Sequence, residues 1–131
     1  MAERNYTADV TASITDLSTR QRIAVKDFSS AIKLNDIITD ENPHVQIDVA
    51  NIVKVSVHNE QSKGNSDYDV IIIIANDGTK YRTGSETAYT SALEIYRELE
   101  AANELSEGFT LDFYKVKSNN FDGEFIKCNL V

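Results

Sequence analysis

Cations and aromatic rings recur at two-residue spacing near the end of this chain. Lys115 and Lys117 stand two apart, Phe121 follows in a polar stretch, and Phe125 and Lys127 again stand two apart. Residues two apart on a strand share a face. A cation can follow a phosphate and a ring can stack a base, so such a row fits a single-stranded nucleic acid. Lys80 and Arg82 repeat the spacing around Tyr81, which takes the opposite parity and is expected inside. Lys63 and Tyr68 lie in and at the end of a polar stretch, and Lys54 takes the polar parity of a valine-rich segment.

Other chemistries fit less well. His44 and His58 are isolated, and no histidine–cysteine spacing suits zinc. The five glycines are scattered and form no phosphate-cradling motif. Asp122, Glu124 and Lys127 have the residue types of a metal-dependent nuclease. Glu124 and Lys127 are three apart, however, and on a strand they point to opposite faces. No enzymatic activity and no cofactor or metal is expected. Cys128 is the single cysteine, which suits a small buried hydrophobe in a reducing compartment.

Charge sorts the chain into regions. The formal net charge is −8, which alone disfavours phosphate. Between Ser85 and Gly108, however, six glutamates oppose one arginine. Segment 20–34 is basic, with Arg20, Arg22, Lys26 and Lys33 against Asp27. Such polarity matters more to a partner than the sum.

The elements that must position these residues follow from hydrophobic period. The 131 residues suit one domain. Tyr6 to Ile14 alternates apolar and polar residues, as in a half-buried strand. Arg20–Phe28 is expected as a second strand and Ser29–Ile38 as a short helical turn. Val45–His58 is the clearest strand, with valines and isoleucines on one parity interrupted only by Asn51. Tyr68–Ala75 is apolar on both parities and is expected to be covered on both faces. Asn76-Asp77-Gly78 marks a hairpin leading to Thr79–Thr83. A helix over 86–105 follows, capped by Ser85, with Ala88, Ala92, Ile95, Leu99 and Ala102 on its apolar stripe and Tyr89 and Tyr96 as packing residues. Phe109–Lys117 and Glu124–Val131 are the last two strands. On the final strand Ile126, Cys128 and Leu130 are expected inward, with Phe125 and Lys127 outward together.

The order from Val45 is β-β-β-α-β-β. It predicts a mainly β fold, an OB-like five-stranded barrel over 45–131 with one acidic helix and an N-terminal extension over 1–44. In such barrels oligonucleotides meet the strand 2–3 face and the loops joining strands 1–2 and 4–5. The extension has three readings: extra strands, a cover for the Ile71/Ile73 face, or an arm to a neighbouring protomer. No stretch is long enough to cross a bilayer, and the N-terminus opens no apolar run, so a cytoplasmic protein without membrane contact is expected.

The tail Tyr114-Lys-Val-Lys-Ser-Asn-Asn-Phe-Asp-Gly-Glu-Phe-Ile-Lys-Cys128 resembles the end of single-stranded-DNA-binding proteins of small tailed phages of Gram-positive bacteria, the group with protein-primed replication. Arg22–Phe28 and Asn76–Gly84 are also similar to members of that group, and the likeness extends over most of 20–131. The resemblance implies a protein that coats displaced single strands during genome replication, without sequence preference, in the host bacterial cytoplasm. Stacking and phosphate contacts serve RNA equally, so the expected partner is single-stranded DNA with RNA open, together with contacts to itself or to replication proteins. The competing reading is a non-enzymatic interaction module, a phage inhibitor of a host or defence protein acting through the acidic helix face.

Overall fold

One 15-residue strand, β3 (His44–His58), organises the sheet in the computed structural model, which describes residues 7–58, 67–105, 108–117 and 124–131. β4 (Asp67–Ala75) pairs antiparallel along the second two-thirds of one edge of β3. The other edge is shared end to end. β6 (Thr110–Lys117) takes residues 44–48 and β1 (Thr7–Ser13) takes residues 53–58, both antiparallel. β5 (Lys80–Thr83) extends the sheet beyond β4, and β7 (Glu124–Leu130) extends it beyond β6. The path is β2-β5-β4-β3-β6-β7, where β2 (Ile32–Lys33) pairs parallel with Tyr81 and Arg82. The result is a mainly β fold whose curled sheet stays open as a half-barrel.

A bulge in β3 decides which residues meet. The ladder to β4 shifts between Val49 and Asn51, so one extra residue reverses the parity. Ile47, Val49 and Ile52 therefore face one cluster, while Val53, Val55 and Val57 face another. Asn51 is buried but satisfied: its Oδ1 accepts from the N–H groups of Thr15 (3.0 Å) and Ile52 (2.8 Å), and its Nδ2 donates to Thr15 O (3.2 Å). β1 has its own shift between Val10 and Ala12, and likewise passes from the second cluster to the first.

The first cluster fills the concave side of the sheet. Ile71, Ile73, Leu111, Phe113, Ile126 and Cys128 pack there against Ala88, Tyr89 and Ala92 of α3 (Glu86–Ala101). Tyr81 packs against it, as its parity predicted. Ser85 precedes the helix but does not cap it with its side chain. Its Oγ donates to Ile126 O (2.6 Å) and ties the start of α3 to β7. Tyr96 meets Phe109 edge-on at 6.1 Å. The helix ends four residues before the expected boundary, because Asn103 turns left-handed (φ 57°) and Glu104 N–H donates back to Leu99 O. That is a Schellman stop with asparagine in the place usually held by glycine. Asn103→Ala should cost about 1–2 kcal/mol in urea unfolding, because alanine tolerates this conformation poorly, whereas Asn103→Gly should not.

The second cluster covers the convex side. Its lid is α1 (Thr19–Lys26), where the sequence pattern suggested a strand. The reason is local: Ser18 and Gln21 form a capping box, Ser18 Oγ accepting from Gln21 N–H and Gln21 Oε1 from Ser18 N–H. Val25 of α1 and the following Phe28 close over Val53, Val55, Val57, Val70 and Ile72. Both faces of β4 are thus covered, as its double apolar parity predicted. The short helix α2 (Leu34–Ile37) then sends Leu34, with Ile38 after it, into the first cluster. Segment 7–43 therefore adds a strand, covers the convex face of β3 and β4, and caps the edge of β5.

Burial governs the one thiol. Cys128 is 1% exposed and its pKa is pushed up from 9.0 to about 12, chiefly by desolvation. Since the folded value lies above the unfolded one, this group's contribution is fully present below about pH 9 and is lost as pH rises towards 12. Wild type should lose stability relative to Cys128→Ala over that window in pH-dependent urea melts. Alkylation at pH 8 should require unfolding, as read by mass.

Candidate nucleic-acid interface

The outer face of β6 and β7 is where rings and a cation meet. Leu111, Phe113, Ile126 and Cys128 point into the first cluster, so Tyr114, Val116, Phe125 and Lys127 point away from it. The register sets Tyr114 opposite Lys127 and Val116 opposite Phe125. Tyr114 and Phe125 are therefore diagonal neighbours on one face, with Lys127 beside both. Phe125 and Lys127 share the outward side as expected. Leu130 takes the inward parity but is 47% exposed, in an open groove beside the end of α3.

Hydrogen bonds hold Tyr114 in place. Asn129 Nδ2 donates to its hydroxyl at 2.9 Å. On the neighbouring end of β3, the His44 ring lies 5.6 Å from the Tyr114 ring, tilted by 44°. His44 Nδ1 and Asp112 Oδ2 are 2.9 Å apart, which orients the imidazole and engages the nearest carboxylate. The platform thus reads His44–Tyr114–Phe125 in rings, with Lys127 exposed beside them. α3 packs against β7 from the concave side, so its glutamates lie across the sheet from this face. Tyr114 and His44 were not among the expected site residues. The parity of Tyr114 against Leu111 and Phe113 was the available signal.

The other expected residues have different surroundings. Lys80 and Arg82 do point away from the first cluster, but towards the N-terminal segment: Lys80 Nζ donates to Ala24 O (3.4 Å) and Arg82 Nε to Ala31 O (3.3 Å). The outer face of β4, half of the expected strand 2–3 platform, lies under α1. Lys54 falls beyond the bulge and faces α3. It pairs with Glu86, approaches Asp69 at 3.9 Å and lies 5.9 Å from the Tyr89 ring. The hydrogen bond to Glu86 raises its pKa above the usual lysine value, so its charge is committed within the chain. Tyr68 is partly exposed at the start of β4, beside Asp9, Asp67 and Asp69, where a phosphate would be repelled. Lys115 lines a small cleft with Asp40 and Glu124, and Lys117 ends β6 opposite Glu124. Lys63 and Phe121 lie outside the described residues.

The structure does not gather all the expected residues. It joins Phe125 and Lys127 to Tyr114, and it places the basic N-terminal segment beside Lys80 and Arg82. Among the described residues no group of three or more His, Cys, Asp or Glu could hold a metal. No helix among them is long and apolar enough to cross a membrane. No protein-family model, no curated protein and no solved structure matches the chain.

Proposed function

We propose that this protein binds single-stranded DNA without sequence preference, on the outer face of β6 and β7. The observation that carries the reading is the pairing of a half-buried aromatic diagonal on the outer face, Tyr114 and Phe125, with the exposed Lys127 on the same face. Every base has a face to stack, and a lysine follows phosphate whatever the base, so such a platform tolerates all sequences. Lys115 and Lys117 take the parity of Leu111 and Phe113 and so lie on the other face of β6. Lys63 and Phe121 in the two loops would extend the track.

An OB-like architecture supports the same reading. Counted from β3, the strand order β5-β4-β3-β6-β7 is 3-2-1-4-5, with α3 between the third and fourth strands. OB barrels are five-stranded and partly open. In this chain α1 takes much of the strand 2–3 surface, so the proposed contacts move to strands 4 and 5. The biological role that follows is the coating of displaced strands during phage genome replication.

An oligo-dT titration followed by tyrosine fluorescence tests the proposal. Quenching should saturate at low salt, and log K should fall linearly with log salt, by about 0.7 per phosphate contact. Absence of quenching at low salt would overturn it, and an oligo-rU titration beside it measures the preference between DNA and RNA.

A further inference from the structure

Two surfaces on opposite sides of the sheet complement each other. On the convex side, α1 buries only Val25. Ile23 is 65% exposed, the highest value among the large apolar side chains described. Arg20 stands three residues before Ile23, on the same helical face, and Arg22 is adjacent to it. Neither arginine has an ion-pair partner among the described residues. The surface is an apolar knob set between cations.

On the concave side, Ile95, Leu99 and Ala102 of α3 and its C-cap form a groove with Leu130 of β7, rimmed by Glu98 and Glu104. Leu130 and the adjacent Val131 are 47% and 63% exposed. Glu98 and Glu104 have no cationic partner among the described residues. The surface is an apolar cleft set between anions.

From this complementarity we infer that copies of the chain associate head to tail, with Ile23 of one copy in the Ile95–Leu99–Leu130 groove of the next and Arg20 and Arg22 against Glu98 and Glu104. Polarity and charge both match: apolar side chain to apolar groove, cation to anion. Like faces repel, since the groove rims are both acidic and the knobs both basic, so a two-fold arrangement of either surface is disfavoured. Knob and groove are different patches of one molecule, so the contact is heterologous and propagates as a chain of copies. A nucleic-acid backbone would meet the arginines, but it would leave both Ile23 and the acidic groove without a role. The inference stands apart from single-strand binding and is tested without nucleic acid.

The test is sedimentation velocity on nuclease-treated protein, from micromolar to millimolar concentration, at low and high salt. The weight-average mass should rise with concentration past that of a dimer, and fall when salt is added. Arg20→Glu/Arg22→Glu and Glu98→Lys/Glu104→Lys should each associate at least tenfold more weakly. An equimolar mixture of the two should regain association, because every junction again joins opposite charges. Ile23→Ser should weaken association with charge unchanged, and circular dichroism verifies that each variant is folded. A wild type that stays monomeric throughout overturns the inference. So does a mass that stops at a dimer, or a mixture of folded variants that stays monomeric.

Discussion

Replacing Phe125 with alanine should weaken oligo-dT binding by about 1–3 kcal/mol, roughly 5- to 150-fold, the range for one lost stacked base. Tyr114→Ala should fall in the same range, and it also frees Asn129, which donates to the tyrosine hydroxyl. Tyr114→Phe separates the two effects, since it keeps the ring and loses the acceptor. Because the two rings are diagonal neighbours, the double variant should lose less than the sum of the single losses. Lys127→Ala should weaken binding less, and should reduce the salt slope by about 0.7. The control is stability. Phe113 lies on the other face of β6 and is fully buried, whereas Phe125 is half-buried on the outer face. Phe113→Ala should therefore lower urea stability by about 3–5 kcal/mol and Phe125→Ala by clearly less. If Phe125→Ala melts like Phe113→Ala while affinity holds, Phe125 serves packing alone.

The platform was half legible in the sequence. Alternation on the last strand separates Ile126 and Cys128 from Phe125 and Lys127, and period-two patterns are the surest signal of a strand face. Tyr114 follows from the same rule, applied one strand earlier against Leu111 and Phe113. Lys54 was not legible in this way. Its side of the sheet depends on the bulge before Asn51, which turns it towards Glu86. The break in the valine parity at Asn51 marked the place but not the consequence. Asn51 satisfies its amide through Thr15, 36 residues away, a contact no local pattern encodes.

The N-terminal segment shows a second kind of difference. The strand expected over 20–28 is a helix because Ser18 and Gln21 cap it from both directions, a signature present in the sequence as Ser18-Thr-Arg-Gln21. What covers the hairpin face is not local. The outward parity of Lys80 and Arg82 was right, yet both reach carbonyls that only the path of residues 19–33 brings there. Covered faces follow from tertiary packing, and the double apolar parity of β4 signalled a cover without naming the segment that supplies it.

That segment is also the subject of the largest expected loss of stability outside the sheet. Leu34→Ala should cost about 2–5 kcal/mol, with the urea midpoint lowered and the slope unchanged. Leu34 has no exposed surface and sits in the first cluster with Ile73, Leu111 and Phe113. Its position is fixed from both sides: β2 pairs with Tyr81 and Arg82 just before it, and Thr83 Oγ1 donates to Asn35 Oδ1 (3.3 Å) just after it. With the flanks held, the surroundings cannot close over the missing side chain, and a cavity remains. Ile23→Ala, eleven residues earlier in the same segment, should change monomer stability by no more than about 0.5 kcal/mol, because its side chain is exposed. A cost below about 1 kcal/mol for Leu34→Ala would mean that the first cluster closes over the site of the missing side chain. A cost in the expected range, in a single transition, makes the segment part of one cooperative unit: the same stretch that places arginines on the convex surface also completes the concave core.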